Sequence, residues 1–404
     1  MRIAMVSEHA SPLATPGTVD SGGQNVHVAA LSAALVRRGH DVTVYTRRDD
    51  PELPERVTSD DGYTVVHVPA GPPEIIAKDD ILPHMTDFAR FLRRDWEVVR
   101  PDAAHAHFWM SGIATQLAAR ALGIPTLQTF HALGIVKRKF QGNADTSPDD
   151  RIRTERVVAK SASRVVATSS EEAFELARMG TPRNHISVVP CGVDLEMFTP
   201  AEGRRTEGTR KRIVCVGRLV PRKGFETAIR TVSALPDTEL IIAGGPAEGK
   251  VKDDPEAQRL EGLAATFGIS DRVHLIGQVP REDMPGLLRS ADVVLCTPWY
   301  EPFGIVPLEA MACGVPVVAH AVGGFLDTIV DGVTGLLVPP QRPRLLLNSL
   351  REIFAHPSVA EGWGVAGRDR AVARYSWDQV AMETERDYLH VVPAPSRVLT
   401  QSTS

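Results

Sequence analysis

Pro190-Cys191-Gly192-Val193-Asp194, then Pro200 and the polar run Ala201-Glu202-Gly203-Arg204-Arg205, interrupt an otherwise regular chain. Before the break, short β-branched runs alternate with longer helical patterns. Met1–Val6, Val42–Tyr45, Thr64–Val68, Thr126–Gln128, Val165–Thr168 and Ile186–Val189 read as strands. Gly23–Arg38, Ile81–Val99, Ser111–Leu122 and Glu171–Met179 read as helices, with Gly39 and Gly123 as stops. After the break a second strand series begins at Ile213–Val216 and continues through Leu240–Ala243, Val273–Leu275, Val293–Cys296 and Val315–Ala319. Such alternation predicts parallel, doubly wound sheets with helices on both faces. The break itself, Pro190–Gly208, has the composition of an interdomain linker. The fold class is therefore α/β, with two doubly wound Rossmann-like domains, 1–198 and 199–375, facing across a cleft. A helix at about 376–390 is expected to pack back on the first domain, and the tail 392–404 to be disordered.

Size and composition agree. At 404 residues the chain is too long for one ordinary α/β core. Its 43% hydrophobic and 24% charged residues are those of a soluble globular protein. A formal net charge of −5 gives no electrostatic reason to expect nucleic acid as a partner. Cys191, Cys215, Cys296 and Cys313 are scattered without a Cys-x-x-Cys pair, as for buried reduced thiols. No run reaches the roughly 18 apolar residues of a membrane span, and MRIAMVS is too short for a signal peptide. A cytoplasmic protein without membrane insertion is expected.

Four loops are placed to meet at the carboxyl ends of the strands, where doubly wound sheets bind ligands. Asp20-Ser21-Gly22-Gly23-Gln24-Asn25 opens the first helix, and its glycines let backbone amides approach an anion. Thr129-Phe130-His131-Ala132-Leu133-Gly134 puts His131 at a strand end; His105 and His107 share that geometry. Val216-Gly217-Arg218-Leu219-Val220-Pro221-Arg222-Lys223-Gly224 offers Arg218 as a fork and Lys223 as a point charge to two phosphates. The fourth loop, Glu301-Pro302-Phe303-Gly304-Ile305-Val306-Pro307-Leu308-Glu309, sets two carboxylates around a tight turn that opens a helix. Amides there suit phosphate and the carboxylates suit hydroxyls, so a nucleotide sugar fits. Gly244-Gly245-Pro246-Ala247-Glu248-Gly249-Lys250 nearly spells a phosphate loop. However, Val251 stands where a Ser or Thr must bind magnesium, and Asp253-Asp254 follow. The chain contains no Asp-x-Asp to hold a divalent ion on a diphosphate, so no metal and no cofactor are expected.

With these loops the chain resembles the retaining nucleotide-sugar glycosyltransferases of family 4, which have the GT-B fold. The resemblance covers nearly the whole length. Its motifs look closest to the mycothiol-pathway inositol-phosphate glycosyltransferase and to the sucrose and sucrose-phosphate synthases. It implies that Glu301 touches the donor sugar, that Glu309 holds the ribose, and that Phe303, Gly304, Ile305 and Val306 lie along the donor. Arg218 and Lys223 would bind the diphosphate, with Gly22 and Gly23 capping it. His131 would contact the transferred sugar, and the acceptor would meet Asn25, Lys78, Phe108 and either Arg151 or Arg153. Phe108 and Ala132 replace a Tyr and a Thr that hold phosphate in the inositol-phosphate enzymes, which points to another acceptor. The implied reaction is retaining, metal-independent transfer of a hexose from a UDP- or GDP-sugar to a hydroxyl of a small polar acceptor. The partners are those two small molecules, and a homodimer is compatible. A nucleotide-sugar epimerase or hydrolase, or a non-catalytic binder, would share the donor loops without an acceptor site.

Overall fold

The computed structural model describes residues 1–14, 23–201, 210–247 and 249–393. Among them, eight strands form the first sheet: β1 (Arg2–Val6), β2 (Asp41–Arg47), β3 (Arg56–Thr58), β4 (Thr64–Val68), β5 (Ala103–His107), β6 (Thr126–Thr129), β7 (Arg164–Ala167) and β8 (Ile186–Val188). Their order is β3-β4-β2-β1-β5-β6-β7-β8, parallel except for β3 against β4. The second sheet holds β9 (Lys211–Val216), β10 (Thr238–Ala243), β11 (Val273–Gly277), β12 (Val293–Cys296), β13 (Val317–His320) and β14 (Leu336–Val338). It is wholly parallel, in the order β11-β10-β9-β12-β13-β14. Each sheet reverses its winding beside its first strand, so crevices open between the carboxyl ends of β1 and β5 and of β9 and β12.

A parallel strand covered on both faces should be apolar throughout. Val293, Val294, Leu295 and Cys296 obey this, as do Ile3 to Val6; all are buried. β5 is equally buried but reads Ala103-Ala104-His105-Ala106-His107, placing two imidazoles inside the sheet. β3 and β14 escape the sequence reading because each is a three-residue edge strand, too short to display a period.

The helix expected over Ile81–Val99 begins instead as a 3₁₀ segment, Lys78–His84, and becomes α-helical only at Met85–Val98. Pro83 explains the change, because it lacks the N–H that an α-helical interior requires. Met85, Phe88, Ala89, Leu92 and Trp96 then line one buried face at helical spacing.

The helix Trp377–Val391, capped by Ser376 accepting from the Gln379 amide, lies against the helix Gly23–Arg37 of the first sheet's layer. His40 and Ser187 bond to its Glu385 and Asp387 at 3.0 and 2.6 Å. Val193 donates to the Tyr375 carbonyl at 2.8 Å and pairs with Ser376, so the two chain passages between the halves run side by side. Of the linker Pro190–Gly208, residues 202–208 lie outside the described residues, as do 394–404 of the expected tail. All four cysteines are buried and free. Among the described residues no helix is long and apolar enough to cross a membrane.

Candidate functional site

A cavity of about 400 Å³ lies between the two halves at the carboxyl ends of both sheets. On the second half, β9 runs into the loop 217–224. This loop reaches β12 because Gly224 adopts φ +71°, and a Cβ there would stand 1.9 Å from the Thr297 carbonyl oxygen. The approach sets Lys223 Nζ 2.5 Å from Glu301 Oε2, joining two predicted site residues as an ion pair. Arg218 and Lys223 line the cavity together with Arg222, which the sequence reading did not single out. Phe303, Ile305 and Val306 complete this wall at the N-terminus of the helix Ile305–Ala312, whose first amides and dipole favour an anion.

The first half contributes Gly23 and Asn25 at the start of Gly23–Arg37, with His9, Lys78, Phe108 and His131. Asn25 Nδ2 donates to the Ser11 carbonyl at 3.0 Å. Lys78 Nζ sits 3.8 Å over the Phe108 ring, and the Arg151 guanidinium lies 5.1 Å from the same ring. Burial, reinforced by Arg151, lowers the Lys78 ammonium to about 8. His9 is held by Glu8, fully buried, whose Oε1 lies 2.7 Å from Nδ1. Burial alone would raise the Glu8 carboxyl, yet His9 and Ser111 hold it below its ordinary range. Neither residue was foreseen. The available signal was their place just beyond β1, facing the same crevice.

His131 takes the left-handed backbone region, φ +62°, unusual for a non-glycine residue. Its ring is 3% exposed and packs 5.3 Å from Phe303 of the other half. Gly23 meets that half as closely, since a Cβ there would lie 3.1 Å from Ile305 Cδ1. The Phe140 and Tyr300 rings stack at 5.5 Å. Glu171 accepts from the Gly323 amide at 2.7 Å and Asp327 from the Ser170 amide at 2.6 Å. The cleft is thus closed by direct contacts at its rim.

Three predicted residues among those described are not brought to the cavity wall. Gly304 lies behind it as the left-handed cap of the helix, φ +75°. Glu309 is 5% exposed and paired with Arg281 at 3.1 Å; burial raises its carboxyl against that pull. Arg153 is a correction: it is exposed and off the cavity, whereas Arg151 two residues earlier is 4% exposed and reaches Phe108. The helix at Arg151–Ser161 turns only one of the two inward, and the sequence spacing could not choose. Gly22 lies outside the described residues. The Gly244–Lys250 stretch leads not to a phosphate loop but to a short 3₁₀ turn. Asp254 Oδ1 then already occupies the Glu256 and Ala257 amides of the next helix.

Residues 21–197 match the family described as Glycosyltransferase Family 4, and residues 201–370 match Glycosyl transferases group 1. The D-inositol 3-phosphate glycosyltransferase of Kribbella flavida is 37% identical over 407 residues, covering 96% of this chain and 95% of that protein. The chain belongs to the group 1 and family 4 glycosyltransferases. Among solved structures, this glycosyltransferase resembles the sucrose-phosphate synthase of Thermosynechococcus elongatus with a TM-score of 0.88 and 31% identity. That match covers 96% of this chain and 98% of the synthase. Anabaena HepE in complex with UDP-glucose shares the fold at TM-score 0.71 and 19% identity, with 96% and 100% covered. The two facing Rossmann-like sheets are those of the GT-B fold, and the protein is an enzyme that draws on a nucleotide-sugar donor.

Proposed function

We propose that this enzyme transfers a hexose with retention, without a metal ion, from a UDP-sugar to a hydroxyl of a small, unphosphorylated polar acceptor. The carrying observation is the wall where Arg218, Lys223 and the N-terminus of Ile305–Ala312 converge opposite Gly23 and His131. Two cations and a set of amides can neutralise a diphosphate leaving group there, which is the role a divalent ion would otherwise fill. Glu301, now paired with Lys223, is placed to accept hydrogen bonds from sugar hydroxyls as the diphosphate takes over the lysine. Among the described residues that line the cavity, the one carboxylate is Glu301, and it is paired with Lys223, so no covalent nucleophile is assigned. The leaving diphosphate would itself take the acceptor's proton on the face from which the acceptor attacks. Protein groups would then supply orientation and charge stabilisation.

The acceptor reading rests on Phe108 and Arg151. Phe108 has no hydroxyl to offer a phosphate. Arg151 is already committed to Glu155 at 2.8 Å, the Ala132 carbonyl at 2.6 Å and Ser147 Oγ at 3.1 Å. Lys78 remains, with a lowered proton affinity. The buried free thiols fit a reducing, cytoplasmic compartment. The test incubates UDP-hexoses and GDP-hexoses with inositol, fructose and their phosphates in EDTA, reading the product's anomeric configuration by NMR. An α-linked product on an unphosphorylated acceptor from an α-linked UDP-sugar is expected. Strict dependence on magnesium, inversion, or use of inositol 3-phosphate alone would each remove the corresponding part of the proposal.

A further inference from the structure

Beneath His131 lies a cluster of histidines that the transfer reaction leaves unused. His27, His105 and His107 are all buried in the first half's core. Burial drives each of them, and His131, below its ordinary proton affinity, to about 4 for His27 and about 3 for His105, so the cluster is uncharged at neutral pH. A neutral imidazole carries one proton on one of two nitrogens, and its neighbours decide which.

The contacts settle the tautomers in sequence. His107 Nε2 lies 3.3 Å from the Met5 thioether, which has lone pairs and no proton, so this edge is favourable only as an N–H donating to sulfur. His107 Nδ1 is then unprotonated. It stands 2.9 Å from His131 Nε2, which must therefore carry the proton and donate it. The alternative would set two lone pairs against each other at Met5 and bury an N–H at His131 Nδ1 without a partner. Buried donors are the costlier kind of orphan. His131 Nδ1 indeed has no hydrogen-bond partner among the described residues. Stacking of the two rings at 5.1 Å and a T-shaped contact from His27, also at 5.1 Å, prevent the His131 ring from simply turning over.

We propose that His107 is a positioning residue that locks His131 as the Nε2–H tautomer. Nδ1 of His131, unprotonated in that tautomer, is buried in this closed cleft, so a ligand group that reaches it meets an acceptor and never a donor. The inference rests on the reading of His131 as a donor-sugar contact, and it adds the direction of that contact. A hydroxyl of the sugar must donate to His131, so a deoxy or O-methyl sugar at that position loses the bond while no oxyanion is stabilised there.

Nitrogen-15 NMR of imidazole-labelled wild-type enzyme tests the tautomer directly, independently of activity. The expected spectrum has a protonated Nε2 and an unprotonated Nδ1 for His131; a protonated Nδ1 overturns the proposal. Met5→Leu, which removes the sulfur acceptor, should make the His107 and His131 signals show both tautomers. Unchanged spectra would remove Met5 from the chain of inference and the proposal with it. His107→Leu deprives His131 of its acceptor and should lower kcat/KM for the donor by about tenfold, the loss expected for one well-placed hydrogen bond. His107→Asn, whose Oδ1 can accept where Nδ1 did, should recover most of that loss at the same thermal midpoint as His107→Leu. Equal losses in both variants would indicate a packing role and refute the proposal. If His131→Phe keeps full activity while the spectrum shows the expected tautomer, the contact between His131 and the sugar fails but the tautomer lock stands.

Discussion

The two walls of the cleft solve their tasks with opposite chemistry. The second half's wall is built from charge: Lys223 against Glu301, Arg218 and Arg222 nearby, and the first amides of Ile305–Ala312. The first half's wall is built from an imidazole kept neutral by burial, His131 on its histidine stack, and an ammonium whose proton burial loosens, Lys78 resting on Phe108. A diphosphate needs countercharge, whereas a sugar hydroxyl needs orientation without a competing ion. The charged wall should therefore dominate the rate, and the first half's wall should set substrate choice.

The largest effect is expected from Lys223→Ala. Losing the charge-assisted contact to the leaving group should cut turnover at least about 100-fold, from roughly 3 kcal/mol of lost stabilisation. Steady-state kinetics within a few-fold of wild type would show that the wall's charge is not what drives the reaction. Gly224→Ala asks whether that wall depends on its backbone. The left-handed φ and the clash with the Thr297 carbonyl should destabilise the protein by about 1–3 kcal/mol and displace Lys223 from Glu301. A thermal midpoint equal to wild type would contradict the close approach.

The first half's wall is tested through Lys78. Replacing it with Met should raise the acceptor KM roughly tenfold with the donor KM unchanged, the cost of one charge-assisted hydrogen bond. Its titration adds a signature. The lysine is depressed to about 8 from 10.5, so acceptor affinity should fall as pH rises through about 8. Between the two values the unfolded chain binds the additional proton, so this group makes the fold more stable as pH rises through that window. An acceptor KM that is flat from pH 7 to roughly 9 would separate Lys78 from acceptor binding. The smallest effect belongs to the rim. Asp327→Ala removes the bond to the Ser170 amide and should cost about 0.5–1.5 kcal/mol of closure, seen as a weaker donor affinity and a larger radius by small-angle scattering. Identical scattering with and without donor in both proteins would argue that the halves do not move.

Legibility in the sequence followed the same division. Arg218, Lys223, Glu301 and the Phe303–Val306 turn were readable because charges and turn residues at strand ends announce themselves locally. His131 was readable as a strand-end residue, but the ring system under it was not. His27, His107 and Met5 are distant in sequence and meet only when β1, β5 and the first helix pack together. Arg151 and Arg153 could not be told apart in the sequence, because a spacing of two on a helix reverses the face and nothing local said which face was buried; Arg151 is the inward residue.

The α/β class, the two strand series on either side of Pro190 and the charged residues at the strand ends are all written in the local sequence. These follow from periodicity and turn chemistry, which act over a few residues. Only the tertiary structure decided that Glu301 pairs with Lys223, that Glu309 turns to Arg281, and that His107 governs the proton on His131. Each of these depends on distance and desolvation between segments far apart in the chain, and those quantities arise only once the two sheets and their helices have packed.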